Sequence, residues 1–405
     1  MRLDIVIDCL LTKTTREAPV KYWFVNPFLI FVASIFSSFL LYQTGLSALY
    51  SGGFSIADAV MCFVLVVGLF AGIFLHRFLR QKLPVERPVD LPKNNLLFLV
   101  AFSLLFFAVE VIYAGGLPIL YVLQGEAYDY TQFGVPTLHV AFLGYYSVAA
   151  VVSYERYLST RSKQYLIPVA LAIFYNVSIV NRGALLITLA SLIFMYMYNA
   201  RHKIRMAFTM TVLLILITIA FGYIGDKRMV SSGYQNADVI YDIGQADPIF
   251  RALPTGFFWV YIYASSTYAN LVAQEPADNI DKGSIPDLIN FAVLPDFISK
   301  HIIEDKNAFA PALITPELKV STAFGRAFVI SGYGGIVTVA FWYSLIVWLT
   351  LYANRNKMLL SACGVLCSVS LFMSFDNMLV FASFVLQIII LSLYSRLRIG
   401  RYRLL

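Results

Sequence analysis

The chain is poor in charge. Only 13% of its 405 residues are Asp, Glu, Lys or Arg, against roughly 25% in soluble domains, while 60% are hydrophobic. That balance excludes an ordinary soluble domain. Cysteine is scarce: Cys9, Cys62, Cys363 and Cys367 are the four, and none falls in the long hydrophilic stretch late in the chain. No disulfide framework is implied. Cys363 and Cys367 lie four apart on one helix face with no further ligand-type residues nearby, and read as packing residues. The chain also lacks a phosphate-binding P-loop, a cluster of paired acids, a His/Cys metal spacing and a GxSxG nucleophile turn. Chemistry driven by a nucleotide or a metal is therefore not expected, and neither is a cofactor. The formal net charge of +7 does not signal nucleic acid, because Lys and Arg gather in short loops between apolar runs.

What is present is a succession of apolar runs of about 18 to 22 residues, the length that crosses a ~30 Å hydrocarbon core as a helix. A β-barrel is unsuited, since its alternating segments are about half as long. The expected fold is all-α: a polytopic transmembrane helical bundle in one membrane domain, residues 1–405, with a large external loop over 226–331. Ten spans are expected, near 22–43, 57–79, 95–115, 136–154, 164–180, 183–200, 206–225, 332–353, 358–375 and 378–395. The opening "MRLDIVIDCL" carries two aspartates, so a cleavable signal peptide is not expected.

With the N-terminus in the cytoplasm, 21 of the 30 Lys and Arg residues fall on the cytoplasmic side. Short loops carry the positive-inside rule, so the expected orientation puts both termini inside and the large loop outside. The stretch "GFFWVYIYASSTYANLVAQ" at 256–274 is apolar enough to span. A span there would send the basic tail "RLRIGRYRLL" outside, so an interfacial or re-entrant helix is expected instead.

Residues 165–200 pose a sharper problem. As one helix this apolar run would be about 54 Å long, too long for one crossing. Asn181-Arg182-Gly183 supplies a break, so Arg182 is expected to cap a hairpin on the external side. The segment "GGLPILYVLQGEAYDYTQFGVPTLHVAF" precedes the fourth span and carries Glu126, Tyr128, Asp129, Tyr130 and His139. The large loop opens with "GYIGDKRM" and closes with "STAFGRAFVISGYGG". Four arginines can thus reach one membrane face: Arg182, Arg228, Arg251 and Arg326. Guanidinium is permanently charged and grips phosphate oxygens as a bidentate fork, which suits a pyrophosphate. Each of them also has a plainer reading as a helix-end or surface residue. Asp58 and Glu110 lie at or inside span ends, and a carboxylate there pairs or lines a cavity. His301 sits in a polar stretch and reads as exposed.

These features resemble the Wzy-type O-antigen polymerases, or oligosaccharide repeat unit polymerases. The resemblance rests on "GGLPIL…YDYTQFGVPTLHVAF", "NRGALLITLASLIFMYMY", "FGYIGDKRM" and "STAFGRAFVISGYGGIVTVAF" and covers about residues 95–350. Two arginine-to-glycine spacings of some members do not align onto Arg228 or Arg251. The resemblance implies a helical glycosyltransferase of the GT-C type in the bacterial inner membrane. It would move a growing glycan from undecaprenyl pyrophosphate onto a new undecaprenyl-pyrophosphate-linked oligosaccharide, releasing undecaprenyl pyrophosphate. Partners would be that lipid-linked glycan, the bilayer and a chain-length-regulating membrane protein. The four arginines would hold the pyrophosphate, Asp226, Asp129 or His139 would serve as base, and Tyr128, Tyr130 and Tyr261 would stack on sugar. An O-antigen ligase shares the donor and is the nearest rival. A lipid-linked oligosaccharide flippase is a rival of another class, though transporters usually carry internal repeats and midplane polar sites.

Overall fold

The structure is a computed structural model that describes residues 20–83, 93–124, 133–200, 202–231, 233–234, 236, 238–276, 280, 282–305, 307–394, 398–399 and 402–403. Among these, eleven helices exceed ten residues: α1 Pro27–Gln43, α2 Ile56–Lys82, α3 Lys93–Ala114, α4 Leu138–Thr160, α5 Ile167–Ser178, α6 Arg182–Asn199, α7 Lys203–Ser231, α8 Thr255–Val272, α9 Gly325–Asn354, α10 Leu359–Phe372 and α11 Ala382–Tyr394. Among the described residues, short helical turns lie in the loops, and a single strand pair has two residues per strand. Ten of the helices coincide with the expected spans. Helices α2, α3, α6, α7 and α9 are long and apolar enough to cross a membrane, and α1, α10 and α11 are shorter apolar helices. The chain is a polytopic helical membrane protein.

Local chemistry sets the helix starts. Asn26 caps α1 through its side chain with Pro27 in the first turn, and Ser55 and Asp58 form a capping box on α2. The 165–200 run does break: Val180 takes φ +60°, the Asn181 N–H donates to Asn176 O at 3.0 Å, and the Asn181 side chain caps α6. One boundary differs from expectation. The span expected to begin at 332 begins at Gly325, because Gly332, at φ +52° and ψ −142°, lets the backbone kink at Ser331–Gly332 while helix continues on both sides. The N–H groups of Lys282 and Gly283 donate to Val329 O and Ile330 O beside the kink, so the break leaves those carbonyls satisfied. Arg326 therefore belongs to the first turn of α9 rather than to the loop.

Burial is the reverse of a soluble protein. Leu214 is 62% exposed and Phe208 70% exposed on α7, as is Phe70 at 68% on α2, and these apolar faces suit lipid. The buried carboxylates Asp58 and Glu155 are partnered, as burial demands: Asp58 accepts from the Ser55 N–H and the Tyr268 hydroxyl, both at 2.7 Å, and Glu155 accepts from the Ser361 N–H at 3.0 Å. At the centre α10 packs on α6 and α1, and α11 on α4, with Cys363 and Cys367 buried in that packing.

Helix α8 packs along α7 and α1, meeting α7 from Thr218 to Asp226. Thr255 and Trp259 reach Asp226, Tyr261 reaches Leu41, and Tyr268 reaches Asp58 at the start of α2. Leu41, Asp58 and Asp226 share one end of the bundle. The described residues between 233 and 324 lie at this end, called here the loop end.

Candidate functional site

Three stretches of chain are stapled together at the loop end. The Ala323 N–H donates to Met373 O at 2.8 Å, and the Asp296 N–H to Val380 O at 2.7 Å. The Asn377 amide donates to Ala292 O at 2.8 Å, and Asp296 accepts from the Ala382 N–H at 2.8 Å. This fixes the first turn of α9 against the α10–α11 connection and the 289–299 turns. Arg326 projects between them. Its guanidinium lies 5.5 Å from the centre of the Phe291 ring and makes no hydrogen bond or ion pair among the described residues. On one side is a cleft of about 400 Å³ whose walls include Lys319, Ser321, Thr322, Asp376 and Asn377. On the other is one of about 270 Å³ that adds Val140, Asn290 and Lys300. Burial raises the Asp376 carboxyl above its ordinary value, while the Asn377 N–H and the charge of Arg326 pull it back. A fixed, half-buried guanidinium with two lysines nearby is a place for an anion with several oxygens.

Val140 also follows His139, the second residue of α4. Nδ1 of His139 lies 2.9 Å from Oε1 of Glu110, whose residue is wholly buried near the end of α3. The other carboxylate oxygen accepts from the Tyr175 hydroxyl at 2.5 Å, and Tyr146 stacks on Tyr175 at 4.1 Å. Gly134 makes room: at φ +86°, it has His139 Nδ1 and Glu110 Oε1 2.6 and 2.7 Å from where a Cβ would be. A carboxylate behind Nδ1 holds the hydrogen on that nitrogen and leaves the Nε2 lone pair available. The arrangement suits a general base.

The other expected site residues lie elsewhere. Both oxygens of Asp226 are taken, by Thr255 Oγ1 at 2.7 Å and Trp259 Nε1 at 2.8 Å; Gly222 and Gly225 allow α8 that close. Tyr261 is buried, donates to Leu41 O at 3.2 Å, and packs among Phe250 and Phe258. Arg251 is exposed, 2.6 Å from Asp242 and over the Tyr241 ring. Arg182 is exposed in the first turn of α6. Arg228 lies two residues beyond Asp226 in α7, and its side chain is outside the described residues, as are Tyr128, Asp129 and Tyr130. The structure thus brings Arg326 and the residue after His139 to one cleft, and puts Asp226, Arg251 and Tyr261 on the α7–α8 side. Sequence reasoning did not single out Tyr175, Asp376, Lys319 or Lys300. Asp376 alone carried a signal, as an acid between two apolar runs in "SFDNML".

A family model described as "Putative O-antigen polymerase" matches residues 22–241, more than half of the 405. The matched stretch holds Glu110, His139, Tyr175, Arg182, Asp226 and Arg228, and ends before Arg251 and Arg326. No curated protein matches, and no solved structure does.

Proposed function

The chain belongs to the O-antigen polymerase family, and we propose that it lengthens a surface glycan at the loop end, using a polyprenyl-pyrophosphate-linked glycan as donor. The acceptor is the free sugar end of a new undecaprenyl-pyrophosphate-linked repeat unit. Its hydroxyl oxygen attacks the anomeric carbon of the donor. The bond from that carbon to the pyrophosphate oxygen breaks, and undecaprenyl pyrophosphate leaves with the electron pair. The hydroxyl proton passes to Nε2 of His139, which Glu110 orients. The donor linkage already holds the free energy, so no nucleotide is consumed. The chain's task is to neutralise the charge growing on the leaving group, and preplaced donors do so without reorganising. Arg326 fills that role, with Lys319 and Lys300 nearby; Arg182 and Arg228 remain proposed further contacts from the same end. In this reading the loop end is extracytoplasmic, the membrane is the bacterial inner membrane and both termini are cytoplasmic.

The observation that carries the reading is Arg326: a half-buried guanidinium in a cleft, with no ion-pair partner among the described residues. The experiment is replacement of Arg326 in a host lacking its own polymerase. Arg326→Ala should leave single repeat units, and Arg326→Lys a sparse ladder. A full ladder from Arg326→Ala would overturn the assignment. Loss of glycan attached to lipid A while free chains still lengthen would instead identify a ligase.

A further inference from the structure

The end of the bundle opposite the Arg326 cleft holds a second polar pocket, of about 370 Å³. Three helix ends build it. The last turns of α4 give Tyr154, Tyr157, Leu158 and Arg161; the end of α6 gives Tyr196 and Asn199; the start of α7 gives His202 and Arg205. Arg161 lies 22 residues beyond His139, or about 33 Å along α4, so the pocket is a full span away from the proposed chemistry.

Among the described residues its wall contains no carboxylate. Arg161 and Arg205 are exposed, and neither makes an ion pair or a side-chain hydrogen bond among the described residues. Arg161 is held in place by its backbone: it ends α4 in the left-handed conformation, φ +59°, with its N–H donating to Tyr157 O at 2.7 Å. Tyr154 and Tyr157 stack side by side at 5.9 Å. The carbonyl ends of α4 and α6 oppose an anion with about half a negative charge each, and the start of α7 offers about half a positive charge. Two whole guanidinium charges outweigh that balance, leaving the pocket cationic. Tyrosines with arginines at the end of apolar spans mark the depth of lipid headgroups, and basic pockets between helices there take lipid phosphates.

We propose that this pocket binds the phosphate of an anionic phospholipid, with Arg161 and Arg205 on the phosphate oxygens and the tyrosines along the glycerol. The proposal does not depend on the chemistry assigned to Arg326. The test is native mass spectrometry of the purified full chain, titrated with phosphatidylglycerol or with phosphatidylethanolamine. The wild-type chain should retain phosphatidylglycerol preferentially, and an Arg161→Ala/Arg205→Ala double variant should bind it at least tenfold more weakly. Arg205→Gln, at an exposed position in the first turn of α7, gives the same reading with a smaller loss if the double variant does not fold. Millimolar inorganic phosphate should leave the lipid in place. Equal retention by wild-type and variant chains would overturn the proposal. So would full displacement by inorganic phosphate, which would make this a site for a soluble anion.

Discussion

Replacing Glu110 with Gln tests the proposed base without changing the shape of the site. The carboxylate accepts two hydrogen bonds, one from Tyr175 at 2.5 Å and one from His139 at 2.9 Å, whereas an amide has only one acceptor oxygen. If the amide turns its NH₂ to His139, Nδ1 must accept and the hydrogen moves to Nε2, which can then no longer take a proton. If it turns the NH₂ to Tyr175, the tautomer survives, but the negative charge that would stabilise a forming imidazolium is gone. Either way general-base help is lost, roughly 10²–10⁴-fold in rate, or about 2.7–5.4 kcal/mol. Stability should fall by about 1.5–3 kcal/mol, the worth of hydrogen bonds to a charged group. The assay is the rate at which purified protein in detergent lengthens a synthetic lipid-linked repeat unit, with thermal unfolding as the control. Tyr175→Phe should slow the reaction less than tenfold, since the Glu110–His139 contact remains. A folded Glu110→Gln variant within threefold of wild-type rate would refute the role given to His139.

Other outcomes follow from single contacts. Gly134→Ala should unfold at lower temperature by about 1–3 kcal/mol of stability and slow elongation, because the new Cβ would meet His139 and Glu110 in a backbone conformation that disfavours side chains. Arg251→Ala should leave the ladder unchanged and cost at most about 1 kcal/mol in a melting experiment, since its pair with Asp242 is exposed on both sides. Asp376 should give a pH signature. Its folded-state carboxyl is raised by burial, so the stability linked to its proton is complete below the ordinary value of about 4 and is lost as pH rises through the raised value. The melting temperature of Asp376→Asn relative to wild type should therefore climb between pH 4 and pH 8; a constant difference would refute this.

The membrane spans were legible because lipid demands long apolar runs, and the Asn181 turn was legible because no single crossing accommodates 165–200. The interfacial placement expected for 256–274 rests on charge balance rather than on hydropathy. The start of α9 was misplaced because "SGYGG" reads as a helix breaker, while Gly332 only kinks the helix. The site was harder to read. Arg326 and His139 were visible as a permanent charge and a titratable ring near span ends. Their neighbours were not: Tyr175 looks like any tyrosine in an apolar helix, and Asp376 comes near Arg326 only because three distant stretches are joined by backbone hydrogen bonds. Asp226 looked reactive for its position beside Arg228, yet Thr255 and Trp259, about thirty residues on, occupy both its oxygens.

The central claim is that Arg326 grips the diphosphate of the lipid carrier. Its most direct test is the affinity of the purified chain for undecaprenyl pyrophosphate, measured for wild type, Arg326→Ala and Arg251→Ala. Loss of a charge-assisted contact worth about 1.5–3 kcal/mol should weaken binding about 10- to 150-fold in Arg326→Ala and leave Arg251→Ala unchanged. Equal affinity in wild type and Arg326→Ala would contradict the account.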